Sequence, residues 1–130
     1  MPSHKANKYG TACEKRMADK YRLTLERASW KDARDRAGNP VEIKSAAVEH
    51  ANGQPGTLKV YEAYHRRLRA ADGYYVLTVY QRHGRGLRVL ASEKLHSSRL
   101  PRLSWHGGGD HRGIVVRLHD DRIRFADVRA

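Results

Sequence analysis

Asp32, Asp35, Glu42 and Lys44 have the types and spacing for chemistry at phosphorus. Glu42 and Lys44 flank Ile43, and strand side chains alternate with period two, so a carboxylate and an amine would share one face. An aspartate on a neighbouring strand would add a second carboxylate. Two carboxylates hold a hard divalent cation through oxygen and leave positions for water and phosphate. The lysine would orient or deprotonate the attacking water, or stabilise charge building on the phosphorus. A Glu-x-Lys triplet also occurs in ordinary amphipathic strands, so the elements that position it must carry the argument.

Those elements are supplied by Ser29 to Ala47, S-W-K-D-A-R-D-R-A-G-N-P-V-E-I-K-S-A-A, which has the form of a β-hairpin. Trp30 to Asp35 reads as one strand, Ala37-Gly38-Asn39 as the turn and Pro40 to Ala46 as the return strand. With that three-residue turn, Asp32 faces Lys44 and shares the Glu42/Lys44 face. With a two-residue Gly38-Asn39 turn, Asp35 faces Glu42 instead and Asp32 points away, because a one-residue slip exchanges the faces. Asp32 is the preferred acid, since Asp35 lies next to the turn, where a solvated turn-flanking aspartate is the ordinary expectation.

The chain has 130 residues, enough for one domain with a real core, and 39% of them are hydrophobic. No apolar run reaches the roughly 20 residues of a membrane span, and the N-terminus lacks a signal-peptide core, so a cytoplasmic location and no membrane partner are expected. Cys13 is the only cysteine, which excludes internal disulfides and cysteine-rich zinc sites. Twenty-six Lys and Arg against 14 Asp and Glu give a formal charge of +12, which favours a polyanionic partner, most often nucleic acid.

In chain order, residues 1–10 read as a flexible basic arm, 11–91 as the core and 92–130 as a C-terminal extension. Thr11 would open a helix running to about Arg27, with Thr11 and Glu14 fitting a capping box. Cys13, Met17, Tyr21 and Leu25 would form its buried stripe. Glu49 to Gly56 is a loop by composition. Thr57 to Ala71 reads as largely helical, with Val60, Tyr61, Tyr64, Leu68 and Ala71 inward and Lys59, Arg66, Arg67 and Arg69 outward. Asp72-Gly73 would stop it, glycine taking the left-handed position. Tyr74 to Tyr80 reads as a buried central strand, Gln81 to Gly86 as a basic turn and Leu87 to Ala91 as the next strand. Arg82, His83, Arg85 and Arg88 cluster around that turn. His96 to Leu103 would be a loop or short helical turn. The glycine-rich 105–112 segment lacks a full zinc ligand set and the G-K-[ST] ending of a phosphate loop. A last hairpin, Ile114 to Leu118 and Arg122 to Phe125 around Asp120-Asp121, would cover a sheet edge or make a dimer contact.

At Asp32 and Glu42-Ile43-Lys44, and in the order helix, hairpin, helix, strand, strand from Thr11 to Ala91, the chain resembles the PD-(D/E)xK nuclease superfamily, which includes restriction endonucleases and Holliday-junction resolvases. The family's usual proline before the acid is absent, Lys31 standing there. The resemblance implies an α/β fold, a mixed central sheet flanked by helices in the order α-β-β-α-β-β, here with a C-terminal hairpin. It implies Asp32 and Glu42 as ligands of Mg²⁺, with Mn²⁺ substituting, and the Ile43 carbonyl as a third ligand. Glu14, on the first helix, is then either an auxiliary ligand or simply the capping-box residue.

The function so implied is a metal-dependent DNA endonuclease, structure-selective or loosely sequence-specific, leaving a 5′-phosphate and a 3′-hydroxyl. RNA stays open as a substrate. Lys59, Arg66, Arg67, Arg69, Arg82 and Arg85 would contact nucleic-acid phosphates. Cutting both strands of a duplex favours a homodimer. The alternative is a non-catalytic basic DNA- or RNA-binding protein in which Glu42-Ile43-Lys44 is an ordinary strand.

Overall fold

The computed structural model describes residues 4–48, 56–100, 111–119 and 122–128, with side chains described in 9–48 and 56–100. It is an α/β fold, as expected. Helix α1 (His4–Tyr21) leads into strands β1 (Thr24–Ala28), β2 (Lys31–Arg34) and β3 (Pro40–Ala47). Strand β4 (Thr57–Tyr61) and helix α2 (Glu62–Ala70) follow, then β5 (Tyr74–His83) and β6 (Gly86–His96). A 3-10 turn (Ser97–Arg99) precedes β7 (His111–His119) and β8 (Arg122–Val128).

Five strands form a mixed sheet in the order β1-β2-β3-β5-β6. β3 and β5 pair in parallel, Glu42 beside Tyr75 and Lys44 beside Leu77, so the chain between them must cross over, and α2 lies in that crossover. The remaining neighbours are antiparallel. A second, three-stranded sheet has the order β4-β7-β8.

Period-two alternation sends each strand's side chains to opposite faces. On one face α1 packs Cys13 with Tyr80 and Leu87, and Met17 with Ala33, Val41 and Val76. On the other, Ala46, Tyr75, Leu77 and Val79 meet Leu58 and Val60 of β4, Leu68 of α2 and Leu100. Asp32, Glu42 and Lys44 alternate onto this second face.

Several boundaries differ from expectation. α1 starts at His4, so residues 4–10 are helix, not an arm, and Thr11 is an exposed mid-helix residue that caps nothing. The helix stops at Tyr21, six residues early, because Arg22 takes a left-handed conformation (φ 54°) and Leu23 N–H bonds back to the Ala18 carbonyl at 2.8 Å. Leu25, expected on the buried helical stripe, lies exposed on β1. Thr57–Tyr61 is strand, not helix: Leu58 and Val60 alternate inward, and β7 supplies the pairing partner. At the end of α2 the left-handed residue is Asp72 (φ 54°), not Gly73. Gly73 serves close approach instead, since a Cβ there would lie 2.3 Å from Leu68 Cδ1 and 3.0 Å from the Pro40 carbonyl oxygen.

β5 and β6 run on to a tight turn at Gly84-Arg85, so most of the expected basic turn is strand. The C-terminal hairpin pairs as expected, Gly113 with Val128 through His119 with Arg122. It joins β4 through β7 and so extends no edge of the five-stranded sheet. Most of the expected 49–56 loop, most of the glycine-rich segment, residues 101–103 and Asp120-Asp121 lie outside the described residues.

Gly73→Ala should destabilise the fold by about 1–3 kcal/mol, because Leu68 is fully buried and has nowhere to move. A urea midpoint lowered at unchanged m-value is the expected reading; an unchanged midpoint would contradict the packing described.

Candidate active site

The hairpin that carries the candidate residues takes neither expected register. β2 and β3 pair at Ala33↔Val41 and Arg34↔Pro40, which sets Asp32 opposite Glu42, not opposite Lys44. The turn is Arg36-Ala37-Gly38, one residue earlier than expected. Asp35 N–H donates to the Asn39 carbonyl at 3.0 Å, and Gly38 accepts the positive φ of 87° that closes it. The displacement moves the pairing by two residues, an even slip, so Asp32 still shares the Glu42/Lys44 face.

Asp35 builds this turn. Its Oδ1 accepts from the Ala37 and Asn39 amides at 3.0 and 2.9 Å, and Lys94 donates to its Oδ2 at 2.9 Å. Its side chain is only 7% exposed, so it is not the solvated turn residue that its position implied. Burial works to raise its pKa, but Lys94 and the Asn39 contacts outweigh burial and hold the carboxyl below the usual range.

Asp32 faces a different partner. Its Oδ2 accepts from the Ile43 backbone N–H at 2.9 Å, a donor that would otherwise bond to a continuing β2. The described pairing of β2 with β3 stops at Ala33, and the aspartate side chain fills the place of the strand. A strand residue directs its N–H and C=O to the same side, so the Ile43 carbonyl faces this gap too.

Glu42 lies beside Asp32. Burial raises its pKa to about 9; the hydrogen bond that its protonated form donates to Asp32 acts the same way, and so do the charges of Asp32 and Glu14. Lys44 pulls in the opposite direction. Glu14 reaches the cluster from α1. Its pKa is also raised, by burial first and by Asp32 second, against the pull of Arg27. Arg27 donates to Glu14 Oε2 at 2.9 Å, while Oε1 is buried with no hydrogen-bond partner. The capping-box reading of Glu14 therefore falls, and what remains is a buried carboxylate within electrostatic reach of Asp32 and Glu42.

Two carboxyls, Glu14 and Glu42, whose pKa values burial and the charge of Asp32 raise, one of them with an orphaned oxygen, fit a hard cation. Among the described residues no three His, Cys, Asp or Glu side chains stand close enough to form a ligand shell by themselves. Asp32, Glu42 and the Ile43 carbonyl would hold such an ion with water completing its coordination, the pattern a small hard cation favours.

Two residues on the same face, Tyr75 and His65, are not among the candidate site residues; a histidine at 65 could assist chemistry but is more often simply packed or exposed. Tyr75, 2% exposed and directly beside Glu42, shares a 2.7 Å hydrogen bond with His65 Nδ1 of α2. Burial raises the Tyr75 pKa and the Glu42 charge adds to this, so the hydroxyl keeps its proton. Burial, with Arg69 and Arg66, lowers that of His65, which favours its neutral form. His65 lies three residues before Leu68 and so on the inward side of α2. That spacing is the signal in the sequence, although nothing there names Tyr75 as its partner.

The basic candidates divide into two groups. Arg66, Arg67 and Arg69 are exposed on α2, Arg66 pairing with Glu62 at 2.7 Å and Arg67 lying over the Trp30 ring. Lys59 is exposed on β4. Arg82, stacked over Tyr9, and Arg85 stand near the β5–β6 turn, roughly 20 Å along the strand from the level of Lys44.

A family model described as the PD-(D/E)XK nuclease superfamily domain matches residues 1–124, nearly the full chain, and the chain belongs to that superfamily. No curated protein and no solved structure is similar enough to be matched with it. Among the described residues no helix is long and apolar enough to cross a membrane.

The folded-state pKa of Glu42 lies above its unfolded value. Its contribution to the metal-free fold is therefore complete below pH 4.5 and is lost as pH rises through about 9. Glu42→Gln keeps a donor to Asp32 at every pH. In EDTA at pH 8 it should be more stable than wild type by roughly 1–3 kcal/mol, with the gap closing toward pH 5. Thermal unfolding at the two pH values checks this; a gap that does not change with pH would contradict the burial and repulsion assigned to Glu42.

Proposed function

We propose that this member of the PD-(D/E)XK superfamily is a metal-dependent DNA endonuclease acting in the cytoplasm as a single nuclease domain. The observation that carries the reading is Glu42: a carboxylate buried against Asp32, one residue from the amide that holds Asp32 and two from Lys44. Burial and the neighbouring acids make the ionised form of Glu42 costly, and a bound cation would offset that cost.

Asp32, Glu42 and the Ile43 carbonyl would hold Mg²⁺, with Mn²⁺ able to substitute and Glu14 as an auxiliary acid. The ion supplies activation of water and neutralisation of charge on the phosphate. Lys44, on the same strand face, orients the attacking water or stabilises the charge that develops in line with it. Asp32 is kept in position by the Ile43 amide, so its oxygens need no reorganisation as the substrate arrives. The arginines of α2 meet the backbone flanking the cut, which leaves a 5′-phosphate and a 3′-hydroxyl. Structure-selective or loosely specific cutting suits a chain of this size, and one site per chain favours a homodimer for symmetric duplex cutting.

The rival reading is a basic nucleic-acid binder without catalysis, favoured by the +12 charge and by the lack of a three-side-chain ligand cluster among the described residues. Lysine dependence separates the two. Lys44→Ala should lower metal-dependent cleavage by about 100-fold or more while DNA affinity at fixed salt stays within about threefold. The assay compares plasmid, linear duplex, single-stranded DNA, a four-way junction and an RNA control in Mg²⁺, Mn²⁺ and EDTA. A wild-type protein that binds these substrates and cuts none would leave the binder reading standing.

A further inference from the structure

One line of side chains on the catalytic face takes no part in the carboxylate chemistry. Trp30 lies two residues before Asp32, in the turn that leads into β2, and packs against the core on the same face. The Arg67 guanidinium stands over its ring, 4.9 Å from the centroid. Arg67 belongs to α2, which is fastened over β5 through His65 and Tyr75. Because β3 lies between β2 and β5, the Arg67–Trp30 contact passes over the strand that carries Glu42 and Lys44.

The line continues along the helix. Tyr64 is one turn before Arg67 and faces the same way. Its ring pairs with that of Tyr61 at 5.6 Å and 52°. Tyr64 is 40% exposed and, with Leu25, is one of two exposed large hydrophobics among the described residues. Leu25 sits on an outer strand; Tyr64 sits beside the basic face of α2.

We propose that Trp30, Arg67 and Tyr64 form a stacking track that receives an unpaired nucleotide next to the scissile phosphate. The proposal rests on the nuclease reading and names the substrate class: single-stranded or splayed nucleic acid. Every base has a π face, so aromatic rings set in a basic surface bind single strands with little sequence preference. Guanidinium planes stack on bases as well, and the Arg67 charge attracts the adjoining phosphate. Paired bases in a duplex already cover their own faces and gain nothing from the track. The chemistry therefore separates substrates by pairing state, without reading base edges.

Trp30 reports on the track directly. The chain has two tryptophans, Trp30 and Trp105, so Trp105→Phe leaves Trp30 as the sole indole. The full chain with this substitution is titrated in EDTA with oligothymidylate and with a duplex of equal length, binding being followed separately by anisotropy of the labelled DNA. Oligothymidylate should quench Trp30, and Tyr64→Ala should weaken its binding about fivefold or more. Duplex affinity should stay unchanged, and Tyr64→Phe should behave as wild type. Trp30 emission that is unmoved at saturating oligothymidylate, or equal weakening on both DNAs, would overturn the proposal and leave Arg67–Trp30 as helix packing alone. Cleavage in Mg²⁺ is scored separately. Cutting with a silent Trp30 removes the track and keeps the nuclease; a responsive Trp30 without cutting keeps the track and removes the nuclease.

Discussion

The hydrogen bond from the Ile43 amide to the Asp32 carboxylate is the contact on which the site depends. Ordinary sheet pairing would have given that amide a backbone carbonyl and turned Asp32 into a surface residue. Instead β2 leaves β3 after two paired positions, and an acid side chain replaces the missing strand. The same departure opens the gap into which the Ile43 carbonyl faces, and Glu14 reaches the cluster from the opposite side of the sheet. A regular five-stranded sheet would keep α1 and the face of Asp32 and Glu42 electrostatically apart; the gap is where they meet.

Around this contact the fold tolerates unfavourable electrostatics. Glu14, Asp32 and Glu42 repel one another, and burial deepens the effect for Glu42. Nearby ion pairs are arranged to stabilise the frame rather than to neutralise the cluster. Lys94 secures Asp35 at the turn, and the buried Lys31 pairs with Glu26 on β1, which also accepts from Arg34 at 2.9 Å. Arg27 is the exception, and it occupies only one oxygen of Glu14. A rigid hairpin thus presents carboxylates whose repulsion a bound cation would relieve.

That Asp32, Glu42 and Lys44 share one face was legible in the sequence because it depends on parity. Both Asp32 and Glu-x-Lys stayed together through an even slip that no turn rule foresaw, since Asp35 closes the loop with its own side chain. Boundaries were less legible where two periodicities overlap. Leu25 continues the helical spacing of Cys13, Met17 and Tyr21, and only the left-handed Arg22, a residue with no special liking for that conformation, ends the helix. Thr11 and Glu14 imitate a cap while lying mid-helix. Val60 and Tyr61 fit the helical stripe of Tyr64 and Leu68 as well as they fit a strand, and the strand that decides the matter is distant in sequence. Tyr75 became a neighbour of Glu42 through a parallel pairing across the crossover, a relation that local pattern does not encode.

That distant pairing bears on how the enzyme comes into being. β4 ends at Tyr61 and α2 begins at Glu62, yet β4 pairs with β7 as far away as Thr57↔Val115. Contacts so separated along the chain form after local ones, because closing the intervening loop costs entropy before any pairing repays it. During synthesis the hairpin with Asp32, Glu42 and Lys44 emerges well before β7. The strand that leads into the arginine-bearing helix gains its partner only when His111–His119 has been made. The hairpin carboxylates are therefore in place early and the arginine-bearing helix is secured late, so the candidate site forms in two stages, acids before arginines.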